Sequence, residues 1–311
     1  MNFPIKYKIC KLLGCSLMLI LPLFSFAQEQ QEEGVYEADP VKKKKFLIGI
    51  YIGSLFANQS TAYNYDGYGY DIGGKRNNFQ NSFMNTKINF QYSGTTFGQP
   101  DLIGQELGVQ PGEWTFNESD MPVNMRYNIA FLVGLNGRYA VSDKGAILLH
   151  VNASKLSVSG NFTITTRPNA NANQLQKTVQ TFAIRGGEQR MQIQVGYQNL
   201  SGEADAKINF LVEGGLNVSL AKFDNNQIQI NNLQIDLTSY YDINNPVANA
   251  TARRPGGVGF GAFAGMGLNF NVNAKTQVQL VYNPSYEQIR VEENAPHKLQ
   301  NAIGLRLYYG L

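Results

Sequence analysis

The sequence predicts an all-β fold: a transmembrane, antiparallel, up-and-down β-barrel of eight strands with long extracellular loops. Three observations predict it. Long stretches alternate apolar and polar residues, the period of a strand that shows one face to lipid and the other to a lumen. They exceed the roughly 5–6 residues of a typical strand and suit a crossing that needs about 9–11. Short turns bound them at one end and long segments at the other, the asymmetry of outer-membrane barrels.

The chain begins with Lys6, Lys8 and Lys11 before the apolar run from Leu12 to Phe26, and Ser25-Phe26-Ala27 precedes Gln28. That order predicts a secretory signal peptide over 1–27. Leu12-Leu13-Gly14-Cys15 looks like a lipidation box, but most of the apolar residues follow Cys15, which argues against it. Cys10 and Cys15 leave with the signal, so the mature chain has no disulfide, thiol nucleophile or thiolate ligand. Residues 28–45 are polar, without periodicity, and predict a periplasmic lead-in ending in the Lys42–Lys45 run. A net charge of +3 gives no ground for nucleic-acid binding.

The barrel itself is expected over 46–311, with strands at about 46–57, 121–140, 146–165, 188–199, 205–221, 257–272, 276–292 and 297–311. The clearest is 121–140, where Met121, Val123, Met125, Tyr127, Ile129, Phe131, Val133 and Leu135 alternate with Asn124, Arg126, Asn128 and Asn136. In the next strand Ile147, Leu149 and Val151 are apolar first and Leu156, Val158, Phe162 and Ile164 afterwards. Such a phase switch predicts a β-bulge near Ala153-Ser154. Turns at Ser142–Gly145, near Ser201–Glu203 and at Asn271–Lys275 are the short ones. Placing them in the periplasm puts both termini there too.

The segment 58–120 is expected to be extracellular, with a short helix at about Asp101–Leu107. Met84, Thr86, Ile88, Phe90 and Tyr92 alternate with polar residues and predict a strand. Paired with Glu113–Asp120 as a second crossing it gives ten strands, the alternative to eight. Long loops are also expected near 166–187 and 222–256.

Chemistry-bearing residues are sparse, and the sequence predicts no catalytic set, no metal site and no cofactor. His150 falls on the lumen phase, and His297 follows Pro296. Glu113, Glu118 and Asp120 near Trp114 read as a solvated acidic loop, with calcium as the sharper reading. Gly256-Gly257-Val258-Gly259-Phe260-Gly261 opens an alternating strand, so its glycines read as lumen packing and not as a phosphate loop. A lumen network is expected from Asn124, Arg126, Arg138, His150, Lys207, Glu213 and Arg306. Its cations outnumber Glu213, and an eight-stranded barrel is only wide enough for side chains to fill, which argues against an open pore. Tyr63, Tyr65, Tyr68 and Tyr70, with Trp114, are candidates for contacting a partner through the loops. Tyr139, Tyr197, Phe270 and Tyr309 suit an aromatic girdle.

Phe24-Ser25-Phe26-Ala27-Gln28, the barrel periodicity and the ending Gly304-Leu305-Arg306-Leu307-Tyr308-Tyr309 resemble outer-membrane β-barrel proteins of Bacteroidota. The resemblance implies that Gly304, Leu307 and Tyr309 belong to a signal read by the barrel-assembly machinery, although Leu311 replaces the usual terminal aromatic. It also implies an outer-membrane lipid environment and the company of multi-subunit machines for secretion, gliding, uptake or barrel assembly. The function expected is a non-enzymatic accessory subunit that docks outer-membrane or surface proteins through its loops. The alternative is passage of a small solute through the polar lumen.

Overall fold

Eight long strands close into a ring in which each pairs antiparallel with its neighbours in the chain. They are β1 (Phe46–Phe56), β2 (Ala130–Ala140), β3 (Gly145–Thr166), β4 (Thr178–Ser201), β5 (Ile208–Ile230), β6 (Gly256–Asn271), β7 (Thr276–Gln288) and β8 (His297–Gly310). Pairing of β1 with β8 completes the circle. The computed structural model describes residues 45–311 except 72–73, 96–98, 168–177, 204–205, 239–255 and 290–294. The expected signal peptide, most of the lead-in and the tips of two loops lie outside the described residues.

The outward face of the ring is an apolar belt. Ile48, Ile50, Phe131, Leu135, Ile147, Leu149, Val195, Phe210, Leu268, Ile303 and Leu305 are all large and exposed. Such a continuous band has no place in water and makes this a transmembrane barrel. Phe46, Tyr139, Tyr197 and Tyr309 are exposed near the short-turn end, as an aromatic girdle requires.

Three strands outrun the belt. β3, β4 and β5 have 22, 24 and 23 residues, against about 9–11 needed to cross. Beyond Val151 the outward residues of β3 become Lys155, Ser157, Ser159 and Asn161, while inward Leu156, Val158, Phe162 and Ile164 are buried. The expected bulge near Ala153-Ser154 is absent: β3 keeps unbroken register with both neighbours there. The apolar phase switches because the surroundings invert. Below the boundary lipid lies outside and polar side chains inside; above it water lies outside and a dry core inside. The register shift in this wall falls instead at Gly187/Glu188, in β4 against β5.

The expected single strand over 121–140 shows the converse. Only Arg126–Tyr127 and β2 are strand, and Asn128 and Ile129 between them are both exposed. That break swaps faces, so Met125 and Tyr127 point inward whereas Ile129 and Phe131 point to lipid. Apolar residues stay on odd numbers because the chain flips at the level where the polarity does.

The raised wall of β3–β5 carries a cap built from the segment between β1 and β2. It opens with a 3-10 helix, Gln59–Tyr65, whose Asn58 side chain accepts from the Ser60 amide at 3.0 Å. The strand expected at 84–92 is helical: an α-turn, Phe83–Asn85, capped by Ser82, runs into a π-helix, Thr86–Gln91. Tyr92 N–H donates to the Lys87 carbonyl five residues back, at 2.9 Å. Met84, Ile88 and Tyr92 recur every fourth residue, so an i, i+4 stripe also satisfied the strand period. The expected helix is present as Leu102–Leu107, with Asp101 accepting from the Gly104 amide and Gly108 ending it at φ 69°.

Trp114–Thr115 and Arg126–Tyr127 pair with β3, and Leu233–Asp236 folds back on β5, so the wall gains edges without crossing the membrane. The crossings number eight. Met84, Ile88, Ile103, Phe116, Met121 and Met125 pack against the inward face of the wall in one apolar core. Each such side chain contributes about 1.5–3 kcal/mol when fully buried.

Phe210 and Leu268 sit opposite each other on the belt. Arginine at either is expected to lower stability in lipid vesicles by about 2–4 kcal/mol if near the midplane. Ser157→Arg, on the same outward side of the wall but above the belt, is expected to stay within about 0.5 kcal/mol. Urea titration of the three variants measures this, and a cost at Ser157 equal to that at Phe210 would move the boundary.

Candidate functional site

The lumen holds three charged layers, each placed by the inward parity of its strands. Nearest the short-turn end, Arg306 of β8 grips Glu213 of β5 with both terminal nitrogens, at 2.7 and 2.8 Å. Glu213 also accepts from Gln198 and Asn283, each at 3.2 Å. The two-pronged geometry and the extra donors are what a buried charge pair needs to offset its desolvation. Gly265 lies across from this carboxylate, where a Cβ would come within 2.6 Å of the Glu213 Cγ, so glycine is required there. Arg138 donates to Gln277, and the Tyr308 hydroxyl is 3.5 Å from the His150 Nε2.

In the middle layer Glu287 of β7 accepts from Asn217, Ser219 and Gln192. A cavity of about 10 Å³ beside it, lined by Tyr51, Asn152, Gln192, Gln194, Asn283 and Ser285 among others, has room for a single water.

The upper layer joins barrel to cap. Arg190 pairs with Glu188 at 2.5 Å, and Arg190 also donates to Gln300 at 3.3 Å. Two cap hydroxyls, Tyr65 and Tyr127, both donate to Glu188 Oε2 at 2.9 Å. The Asn58 amide reaches Gln300 at 2.8 Å. Tyr65 is fully buried, stacks on Phe223 at 4.2 Å and lies against Gly186, where a Cβ would meet its ring at 2.4 Å. Burial, then the neighbouring Glu188 charge, pushes the Tyr65 phenol well above its ordinary pKa, so it remains a donor. The cap is thus latched to the barrel rim at Glu188.

These layers correct the expected network. Arg138, His150, Glu213 and Arg306 are in the lumen, but Asn124, Arg126 and Lys207 are exposed. Asn124 caps the Asn161 amide on the wall, and Arg126 faces outward across from Ser159. Glu188, Arg190 and Glu287 were missed, though their parity matches Gln192, Gln194, Gln277 and Gln279. With them the lumen arginines Arg138, Arg190 and Arg306 face three buried carboxylates, and the expected excess of cations disappears among the described residues.

The aromatic candidates separate. Tyr65 and Trp114 are buried, the latter donating its indole N–H to Asp101 at 3.0 Å, so neither offers surface to a partner. Tyr68 and Tyr70 are half-buried, with the Arg76 guanidinium over the Tyr68 ring at 3.9 Å. Tyr63 remains exposed, and its hydroxyl holds the Val123 carbonyl at 2.6 Å. Of the acidic group, Asp120 accepts from the Asn117 amide and the Thr163 hydroxyl, and Glu113 from the Gln110 amide. Gly304 faces Gly53 across the closing seam, where a Cβ would come within 2.7 Å of Tyr51, and Leu307 and Tyr309 face lipid.

No protein-family model matches the chain, and no curated protein does. Solved structures similar to it include Neisserial surface protein A, at 7% identity over 86% of this chain and 97% of that one, TM-score 0.38. OprG from Pseudomonas aeruginosa covers 88% and 100% at 10% identity and TM-score 0.38. Ail of Yersinia pestis, in complex with the heparin analogue sucrose octasulfate, covers 86% and 98% at 10% identity and TM-score 0.32. At these scores none bears on function, and the eight-strand count rests on the strand pairing itself.

Glu213→Ala is expected to cost about 3–5 kcal/mol, because it strands Arg306 in the lumen. The double variant E213L/R306M should recover most of that loss. Heat-modifiability on gels and urea midpoints in detergent read both; a double variant as unstable as the single one would mean the pair itself, not its desolvation, carries the stability.

Proposed function

We propose that the chain is a Gram-negative outer-membrane barrel, with both termini periplasmic, that acts without catalysis or conduction as a structural subunit docking a partner protein through its cap. The observation that carries this reading is the latch. A barrel that passes solute needs its mouth open, whereas here Tyr65 and Tyr127 descend onto Glu188 of β4, and beside it Arg190 reaches across to Gln300 of β8. The strands that outrun the membrane are used to support a folded domain, and a domain held rigidly above a bilayer presents a pre-organised surface at low entropic cost. Of the expected candidates Tyr63 stays, 40% exposed, and Val123, 78% exposed and tied to it by a hydrogen bond, joins it in place of the buried Tyr65 and Trp114. The resemblance of the signal end and the C-terminal strand to Bacteroidota barrels suggests one of that group's multi-subunit membrane machines as the setting.

Orientation is tested first. Cysteine at Asp143 or Asn273 in the short turns should resist an impermeant thiol reagent on intact cells, and cysteine at exposed Asn78 in the cap should label. Labelling at Asp143 would reverse the orientation.

The functional test has two arms. Protein reconstituted in planar bilayers should give no steady ion conductance, and mild-detergent purification should bring down a stoichiometric protein partner. Y63A/V123S should leave the barrel folded and lose that partner. Stable ion-selective channels, with no partner affected by the double variant, would favour the solute-transport reading.

A further inference from the structure

We infer that the outer wall of β3–β5 carries a binding site for a phosphorylated glycolipid of the outer leaflet, with an acyl chain in a groove and a phosphate between Lys155 and Lys222. The inference rests on the proposed orientation, which sets the capped end in that leaflet.

Two adjacent rows of outward side chains make the site. In the lower row Val133, Ala153, Met191, Leu220 and Val258 lie side by side across five strands. On β3, β4 and β5 it is the last apolar row of the belt, while Phe131 of β2 and Ile129 just before it carry the belt higher. Ala153 is short between Val133 and Met191, which leaves a dip. There the outer surface forms a groove of about 580 Å³ with Phe131, Val133, Met191 and Leu220 among its walls.

The row above belongs to different chemistry. Lys155, Gln189 and Lys222 are aligned across β3, β4 and β5, and all three are exposed along the same groove. Neighbouring strands lie about 4.8 Å apart, so the two lysine Cα atoms are separated by roughly 10 Å and their long arms can converge on one anion. Lysines at such a boundary can lay their stems over apolar surface and keep the ammonium groups at the headgroup level. Four residues higher, Arg126 and Arg185 share a row with Ser159 between them and point outward as well.

The acids on this stretch are Asp224, which Lys155 meets at 2.8 Å, and Asp236 at the far edge beside Gln227. Four cations thus face two carboxylates. An apolar groove capped by cations at the level where the lipid-facing residues end matches an amphiphile with an anionic head, not a free anion and not a neutral lipid. Cations near a membrane surface each contribute about a factor of five in affinity for anionic headgroups.

Purified full-length protein in detergent, titrated with bisphosphorylated lipid A and followed by native mass spectrometry, tests the site. K155Q/K222Q is expected to weaken binding by roughly tenfold or more. The control K144Q/K275Q, in the short turns, should not change it. Asp224→Asn, which releases Lys155, should tighten binding, a gain that a misfolded protein would not give. Dephosphorylated lipid A should bind wild type no better than lipid A binds K155Q/K222Q, and millimolar inorganic phosphate should not displace the lipid. Unchanged affinity in K155Q/K222Q, or equal affinity for the dephosphorylated lipid, would overturn the site. Displacement by inorganic phosphate would reduce it to an anion site and overturn the glycolipid. The assay needs neither partner nor cells, so its failure leaves the docking and orientation tests untouched.

Discussion

The hydrocarbon of a bilayer offers no hydrogen-bond partner to a backbone amide, so every strand within the belt must be paired on both edges. Closure of β1 onto β8 meets that demand, and the rest of the molecule follows from it. The closing seam needs close approach, which Gly53 and Gly304 allow beside Tyr51. A ring of eight strands is narrow, so its inward residues must fill one another's gaps. Gly265 and Gly261 of β6 accordingly stand opposite the acids Glu213 of β5 and Glu287 of β7. Filling the lumen with polar groups in turn obliges each charge to find a partner, because one left alone in that space is expensive.

The second constraint is the level at which the environment changes. One inward face of the β3–β5 wall is polar beside His150, Asn152 and Arg190 and mainly apolar beside Leu156, Val158 and Ile184, with Asn226 the buried polar residue in the row of Val158. The strand does not alter there; what it faces does. Within the belt the lumen must be polar because lipid takes the apolar side chains. Above the belt water takes the polar ones, and the inside becomes a conventional core able to hold a cap. Glu188 and Arg190 stand at the junction, and the cap tyrosines satisfy the carboxylate that the barrel alone leaves open. The cap therefore completes the barrel chemically as well as covering it.

That junction links the two surfaces with functional meaning. Inside, the cap tyrosines meet the barrel's Glu188 there, which supports the proposed scaffold. Outside, at the same height, the apolar row gives way to lysines, so the boundary that organises the core also marks a place for a lipid headgroup. A barrel fixed both by its belt and by headgroup contacts would hold its cap at a defined height and tilt, which suits presentation to a partner.

Strand parity made the barrel class, the preference for eight crossings over ten, the short turns and most lipid-facing residues legible, because parity is a local property and lipid selects strongly for it. Met121, Met125 and Tyr127, read on the lipid face, are buried. Four members of the lumen network, Arg138, His150, Glu213 and Arg306, were legible as well, whereas Glu188, Arg190 and Glu287 were missed although they share the inward parity of Gln192 and Gln279. The folded arrangement adds what parity cannot express. A break at Asn128-Ile129 and an unbroken β3 produce opposite patterns of apolar residues, yet both obey one polarity boundary that no single strand records. Met84, Ile88 and Tyr92 fit periods of two and of nearly four equally, and the cap core selected the helix. The burial of Tyr65 and Trp114 depended on contacts with Glu188 and Asp101, residues distant or unrelated in local pattern, so aromatic clustering in a loop read as exposed surface. Local alternation is written residue by residue, whereas which side is wet depends on what the folded chain puts there.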